Sequence, residues 1–503
     1  MVFSSIACLF FFLPITLAIH FFPWNRWRNG TLLLLSFVFY AWGETEQLLI
    51  LPISILVNYL LGLGISLTDR LQEKSAQSAL PETAKAYKFV PSFPRKLCLA
   101  CGILFNVGLL VCYKYSGFLA ENLNPLLVKL DLEAMAVSSV RAPLGISFFT
   151  FHALSYLVDI FRQKASSLKN PLDLALYFSF FPKVLAGPIV EYQDARQDLG
   201  GRWITQEGFL KGVERFVAGL GKKVLIANPL AAVADKIFGI SADQLTFGVA
   251  WLGILCFTLQ IFYDFAGYTD MAIGVGRMLG FRLPENFNYP YASQSVRDFW
   301  RRWHISLSRW LRDYLYIPLG GNRCGLPRQY VNLITVFLVC GLWHGASWNF
   351  VVWGMWYGLF LVLERTRVGS VLALSPRPCR HLYTLLVVIV GWVFFRSETL
   401  SVSLAFLKAM AALGDGVDPK YSAGLFLNNE VILCLLVGTL LSIPPKTWRN
   451  AASWLFPALD GLTGDRWNLG FRSAYAAFLS LLFLLSCMSV AGGTHKAFIY
   501  SKF

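Results

Sequence analysis

Residues 331–363 read VNLITVFLVCGLWHGASWNFVVWGMWYGLFLVL, a run of 33 residues without Asp, Glu, Lys or Arg. As one continuous helix this run would extend about 50 Å at 1.5 Å per residue, whereas the hydrocarbon core of a bilayer is about 30 Å thick. The run is therefore expected to break, and Gly341 and Gly345 flank His344 at the natural break point. Broken backbone at membrane depth requires protein or a water-filled cavity to satisfy it. We predict that His344 faces such a cavity near the middle of the membrane.

The composition is that of a chain that crosses a bilayer many times. Of its 503 residues, 56% are hydrophobic and 15% are charged, whereas soluble domains carry about 25% charged residues. The formal net charge of +15 matches the Lys and Arg bias of cytoplasmic loops, so no nucleic-acid partner is predicted. Cys98 and Cys101 form a CxxC without a second pair, so no metal is expected. The predicted fold class is an all-α polytopic membrane protein.

Apolar segments predict the positions of the spans. We expect spans near residues 3–22, 31–43, 47–66, 98–118, 213–234, 246–263, 330–343, 346–363, 383–396, 424–442 and 473–491. Two further zones, 142–192 and 264–328, are too polar for simple spans. They predict broken or re-entrant helices.

The charges of the loops predict the side of the membrane on which each loop lies. An excess of Lys and Arg places the cytoplasmic loops at residues 67–97, 365–382 and 443–472. Acidic segments at 43–46 and 397–423 are predicted to lie outside. This alternation places both termini outside, including the tail at 492–503, and the uncharged N-terminus predicts a retained first span. The sequence shows no linker or repeat, so residues 1–503 are predicted to form one transmembrane domain.

Region 277–328 contains nine arginines, three acidic residues and no lysine. Lysine suffices to set topology, so a set made only of arginines favours planar, bidentate recognition of phosphate or carboxylate. The alternative is a cytoplasmic loop that lies on anionic lipid headgroups. A polar pair, Asp264 and Asp270 in FYDFAGYTD (262–270), precedes this region and could lie near the inner mouth, although a role in helix packing or in pairing with arginine is the alternative.

Two histidines are candidates for chemistry. Burial should keep His344 neutral, as a general base requires, although a histidine bonded between helices would explain the same position. His304 follows Arg301, Arg302 and Trp303 in RRWHISLSRW, where a structural role is the alternative to a catalytic one. Helical spacing in that stretch predicts one face with Trp303, Leu307, Trp310 and Tyr314, and a second with Arg302, Ser306 and Arg309.

Several long blocks resemble known signatures. WRRWHISLSRWLRDYLYIPLGGNR (300–323) and GLWHGASWNFVVWG (341–354) are similar to signature blocks of the membrane-bound O-acyltransferase family. PLGISFFTFHALSYLVDIFR (143–162), FPKVLAGPIVEY (181–192) and FYDFAGYTDMAIG (262–274) resemble the branch of that family that contains the alginate O-acetylation membrane protein. The likeness extends over nearly the whole chain.

The resemblance implies a ring of about 11–12 tilted helices, with re-entrant or broken helices, around a central tunnel. It implies an O-acyltransferase of the inner membrane that moves an acetyl group from a cytosolic thioester, with acetyl-CoA as the expected donor, to an exported polysaccharide such as alginate. A periplasmic acetyltransferase partner would complete the transfer. The family's invariant histidine corresponds to His344 and its second histidine to His304.

Two further roles follow from the resemblance together with the residues. The donor would be bound by Arg301, Arg302 and Arg309 at the cytoplasmic mouth. Tyr500, in the tail AFIYSKF, would carry the acetyl group toward the outside partner, although an interfacial aromatic residue is the alternative. Rival functions are a transporter or flippase for a lipid-linked sugar and a non-enzymatic export scaffold. The identity of the polysaccharide and a carrier-protein thioester in place of CoA stay open.

Overall fold

The computed structural model describes residues 3–22, 27–79, 91–135, 141–414, 421–445, 447 and 465–493. The regular elements in these residues are all helical, as the sequence predicts. The chain divides into two compact units, one built mainly from Phe10–Phe209 and the other mainly from the described residues of Leu210–Val275 and Glu285–Phe503. The prediction of a single domain and that of a central tunnel stay predictions.

The first unit contains the helices up to residue 200. They are α1 (Leu13–Phe21), α2 (Arg28–Gly43), α3 (Ile50–Ala79), α4 (Phe93–Leu110), α5 (Ser116–Lys129), α6 (Ile146–Phe161), α7 (Pro171–Ser179), α8 (Phe181–Val184) and α9 (Tyr192–Gly200). Zone 142–192 is broken as predicted, because α6, α7 and α8 divide it into short helices.

The helices from residue 206 onward contribute to the second unit. They are α10 (Gln206–Gly221), α11 (Asn228–Phe238), α12 (Phe247–Met278), α13 (Val296–Arg302), α14 (Ile305–Leu311), α15 (Leu326–His344), α16 (Trp348–Leu363), α17 (Arg367–Leu374), α18 (Arg377–Arg396), α19 (Leu400–Met410), α20 (Asn429–Leu441) and α21 (Asp465–Ala491).

Among the described residues, six helices are long and apolar enough to cross a membrane. They are Ile50–Thr68, Phe93–Lys129, Gln206–Phe238, Phe247–Met278, Arg377–Arg396 and Ser473–Ala491. The first and second of these expose large apolar side chains, such as Leu56 and Leu104, as expected for helices that face lipid. Shorter apolar helices accompany them, among them Ile146–Phe161 and Trp348–Leu363.

The expectation that zone 264–328 is broken throughout is wrong for its first part. Helix α12 continues without interruption to Met278 and carries Asp264 and Asp270 with it. Buried Asp264 pairs with buried Lys223, and Asp270 pairs with Lys222 at 2.6 Å and with Arg215. Because each carboxylate meets cations of the preceding helical segment, the helix tolerates both acids without a break.

Glycines hold α10 against α12. A Cβ atom on Gly219 would lie 2.7 Å from the carbonyl oxygen of Gly267, and one on Gly274 would lie 2.6 Å from that of Gly212. The two glycines on each helix are seven residues apart, which places them on the same face. The helices therefore touch backbone to backbone, a packing mode typical of membrane proteins.

We expect Gly219→Ala to lower the thermal midpoint of the purified protein in detergent. The added methyl group would overlap the backbone of α12, and overpacking of this kind costs about 1–3 kcal/mol. Gly108→Ala is the matched control, since no heavy atom lies within 4 Å of a Cβ built there. In that exposed helix, alanine should leave stability unchanged or raise it by up to about 1 kcal/mol. Equal midpoints for the two variants would contradict the close approach of α10 and α12.

Candidate functional site

The uncharged run 331–363 folds into a helical hairpin. Helix α15 ends at His344 and α16 begins at Trp348, which confirms the break predicted between the two glycines. A Cβ on Gly341 would overlap the carbonyl oxygen of Phe350, and one on Gly354 would overlap that of Phe337. Since the two helices meet backbone to backbone, the turn that carries His344 is held in one position.

Aromatic side chains enclose His344, which is 4% exposed. The ring centroids of Trp343, Trp353 and Phe395 lie 4.8, 5.0 and 5.1 Å from that of the imidazole, each at a steep angle to it. Phe350 lies 6.4 Å away and nearly parallel. These rings exclude bulk water and create a medium of low dielectric constant.

His304 lies at a second break. Helix α13 ends at Arg302, and the backbone of His304 is left-handed, with φ 45° and ψ 54°, immediately before α14. A non-glycine residue in this region is uncommon and costs local strain. The single helix assumed in predicting two faces for residues 302–314 is therefore wrong, and Ser306, expected on the polar face, is buried.

The structure brings the two histidines to one indole ring. His304 is fully buried, and its ring contacts the edge of Phe265 at 4.7 Å and the ring of Trp343 at 6.3 Å. His344 contacts the same Trp343. Burial lowers the pKa of His304, which lies outside the spanning helices, to about 3, so this imidazole is neutral at physiological pH.

Several buried polar atoms near the two histidines have no partner among the described residues. Within the described part of the chain, no hydrogen-bond acceptor meets the indole N–H of Trp300, Trp353 or Trp392, and Nε2 of His304 also has no partner. An unsatisfied buried donor or acceptor costs about 1–3 kcal/mol. Trp353 contacts His344, and Trp392 lies 4.8 Å from Trp303, ring centroid to ring centroid. A polar partner, either water or the oxygen atoms of a substrate, would satisfy these groups.

Glu364 ties the hairpin to α13. Its carboxylate accepts the backbone N–H groups of Val296 at 2.6 Å and Arg297 at 3.0 Å, the first residues of that helix. Burial raises the pKa of Glu364 above its usual range, while the two N–H groups favour its charged form. Sequence patterns do not reveal this residue, because no local spacing connects the end of one helix with the start of another 68 residues away.

The three predicted donor-binding arginines differ in their surroundings. Arg301 is exposed at the end of α13. Nε of Arg302 lies 3.0 Å from a carboxylate oxygen of Asp298, and Nε of Arg309 lies 4.0 Å from one of Asp313. These ion pairs are partly exposed to solvent, and pairs at a protein surface contribute little to stability. Tyr500, the predicted acetyl carrier, is not among the described residues.

The fold and this site define a polytopic membrane protein with two histidines buried at breaks between helices. Residues 34–406 match the family model described as MBOAT, membrane-bound O-acyltransferase family. The chain belongs to this family and is a multi-pass membrane O-acyltransferase.

Named relatives are similar over most of their length. The chain is 37% identical to a "probable alginate O-acetylase" of Pseudomonas putida over 100% of both chains. It is 40% identical to the protein of the same description from Pseudomonas aeruginosa, over 88% of this chain and 79% of that one. It is 36% identical to the peptidoglycan O-acetyltransferase of Helicobacter pylori, over 85% of this chain and 84% of the relative.

Proposed function

We propose that this protein transfers an acetyl group from a cytosolic thioester, acetyl-CoA, to the hydroxyl groups of an exported polysaccharide such as alginate. The names of the relatives support an acetyl group and a polymeric acceptor, because they describe alginate and peptidoglycan O-acetylation. In this proposal the protein resides in the inner membrane with both termini outside, and a periplasmic acetyltransferase partner completes the transfer.

His344 is the proposed general base. Its neutral imidazole takes the proton of the accepting hydroxyl while that oxygen attacks the thioester carbonyl carbon. The tetrahedral intermediate then expels the thiolate, which takes up the proton, so one ester forms and one thioester breaks. The buried indole N–H of Trp353 lies on a ring in contact with His344 and is suited to donate to an oxygen of the reactants.

One observation carries the proposal: two buried histidines contact the same indole amid unsatisfied donors. Buried ionisable side chains at breaks between membrane helices are costly, so two of them on one indole ring favour a site for chemistry. A flippase or a non-enzymatic scaffold has no need of this arrangement. The family match over residues 34–406 also favours the enzyme.

We expect His344→Ala to reduce acetyl transfer by about 10²–10⁴-fold, because the general base is lost. The measurement follows release of free CoA thiol and formation of O-acetyl ester in membrane vesicles at matched protein abundance. His304→Ala should also impair turnover. The control is His381→Ala, whose half-buried ring bonds to the carbonyl oxygen of Ser293 and should transfer at close to the wild-type rate. A His344→Ala variant as active as this control would remove His344 from the mechanism.

Arg301, Arg302 and Arg309 are proposed to bind the phosphates of the donor from the cytoplasmic side. The combination of nine arginines and no lysine in 277–328 supports this role, as does the exposure of Arg301. Guanidinium groups match phosphate oxygens in pairs. The same arginines would accommodate the phosphopantetheine of a carrier protein if that were the thioester donor.

Replacing these three arginines with glutamine should raise the KM for acetyl-CoA by about tenfold or more, because each charged hydrogen bond contributes roughly 1.5–3 kcal/mol. Initial rates at varied acetyl-CoA concentration give this value. Arg297→Gln is the control for bulk charge, since Arg297 is exposed on the same helix as Arg301 and Arg302. An equal KM in the triple variant and the wild type would mean that these arginines set the membrane topology and contact lipid headgroups, and do not bind the donor.

Tyr500 is proposed to carry the acetyl group between the site and the outside partner. The loop charges predict that the tail 492–503 lies outside, and a phenol is a feasible acceptor when a base activates it. The resemblance of the tail AFIYSKF to the tails of family members also supports this role.

Tyr500→Phe should abolish acetylation of the polysaccharide in cells, because it removes the nucleophilic oxygen and keeps the ring. Quantifying O-acetyl ester on the isolated polymer is the measurement. Tyr421→Phe, in a segment that the loop charges also place outside, is the matched control and should leave acetylation unchanged. If Tyr500→Phe acetylated the polysaccharide to the wild-type level, Tyr500 would not carry the acetyl group and would be an interfacial aromatic residue.

A further inference from the structure

Asn286 holds three donors on a single side-chain oxygen. Its Oδ1 atom lies 3.2 Å from the backbone nitrogen of Ser306, 2.9 Å from the Ser306 hydroxyl and 3.1 Å from Nδ1 of His304. A backbone N–H can only donate, so the atom that faces Ser306 must be the amide oxygen and not the amide nitrogen. The orientation of the Asn286 amide is thereby fixed by the backbone.

The fixed amide determines where His304 carries its proton. An amide oxygen only accepts, so the imidazole nitrogen that faces it must be the N–H donor. In a neutral imidazole the other nitrogen, Nε2, then carries a lone pair. Nε2 of His304 is buried and has no hydrogen-bond partner among the residues that the structure describes.

We infer that Asn286 is a positioning residue that holds His304 in the Nδ1–H tautomer, so that Nε2 accepts a hydrogen bond from a second hydroxyl group of the acceptor, beside the one that His344 deprotonates. The tautomer follows from contacts within the chain, and only its use in acetyl transfer rests on the proposed function. A lone pair suits a hydroxyl donor and repels phosphate or carbonyl oxygens. His304 therefore serves the acceptor and not the anionic donor.

The backbone around His304 supports this role. The N–H of Ile305 donates to the carbonyl oxygen of Asn286 at 2.9 Å. Both the main chain and the side chain of Asn286 therefore hold the strained turn at His304. Phe265 and Trp343 pack against the ring and restrict its rotation. A flip of the ring by 180° would put a carbon atom in place of Nδ1 and leave Asn286 without that bond. One orientation and one tautomer are therefore favoured.

The acidic groups on α12, the helix that supplies Phe265, are paired with cations. The carboxylates of α12, Asp264 and Asp270, form ion pairs with Lys223 and with Lys222 and Arg215. The segment between α12 and α13 contributes the amide of Asn286. Helix α15 contributes Trp343, which also touches His344. Burial lowers the pKa of His304 to about 3, so the lone pair on Nε2 is present throughout the physiological range.

The first test reads the tautomer without any assay of activity. Solid-state NMR of the full-length protein in lipid, labelled with ¹⁵N-histidine, distinguishes protonated from unprotonated ring nitrogens. Subtracting the spectrum of His304→Gln assigns the signals of His304. We expect a protonated Nδ1 and an unprotonated Nε2 at pH 7. A protonated Nε2 with an unprotonated Nδ1 would overturn the inference.

The second test uses Asn286→Asp, which keeps an accepting oxygen in the same place and adds a negative charge. The carboxylate stabilises the imidazolium, so the pKa of His304 rises and Nε2 keeps its proton to higher pH. The acid limb of kcat should move upward by about one pH unit or more, and activity should return to its plateau above the raised pKa of His304. A merely structural role for Asn286 would lower kcat equally at every pH.

Ser306→Ala is the matched control, because it removes one bond to Asn286 and leaves His304 and its tautomer untouched. Its pH profile should keep the wild-type limb. An Asn286→Asp profile identical in shape to the wild type, in an otherwise active enzyme, contradicts the inference alone. A wild-type protein that transfers no acyl group contradicts the proposed function, while the NMR result would still decide the tautomer.

Discussion

Backbone polar groups inside a hydrocarbon layer must find partners within the protein, and this constraint shapes the hairpin around which the site is built. Residues 331–363 carry no charge and are too long for one span, so they fold back on themselves. Gly341 and Gly354 allow the two helices to touch through their backbones, and this contact fixes the turn. His344 lies at the last position of the first helix, where a helix leaves carbonyl groups without intrahelical partners. The turn that lets the two helices satisfy their backbone polar groups therefore also carries the titratable side chain of His344.

A related solution operates between α10 and α12. Their glycines bring the backbones together, and the short separation allows Lys223 to reach Asp264 and Arg215 to reach Asp270. A buried ion pair costs free energy to desolvate, and removing one partner leaves an unpaired charge that costs more. The pairs therefore fix the register of the two helices more than they add stability. Helix α12 in turn supplies Phe265, which packs on His304.

The aromatic cluster sets the electrostatics of the site. Indole and phenyl rings surround both histidines, and the acids of α12 are paired with cations. In such surroundings a hydrogen bond has a larger effect than in water, and an unsatisfied donor is costly. At His304, the bond to Asn286 leaves Nε2 as a hydrogen-bond acceptor. Near His344, the unsatisfied indole N–H groups are hydrogen-bond donors. That division suits a reaction in which a hydroxyl meets a carbonyl.

The sequence by itself determined the membrane class, most of the spans and the break at His344, because these depend on length, apolarity and local glycine placement. Family signatures in 300–323 and 341–354 also identified both histidines. The tertiary structure alone decided what depends on partners far along the chain. It made α12 continuous by supplying cations for Asp264 and Asp270, and it buried Ser306 by breaking the helix at His304. It also placed Asn286 and Trp343 against His304, a meeting that local periodicity could not show because periodicity reports which face a residue occupies and not what that face meets.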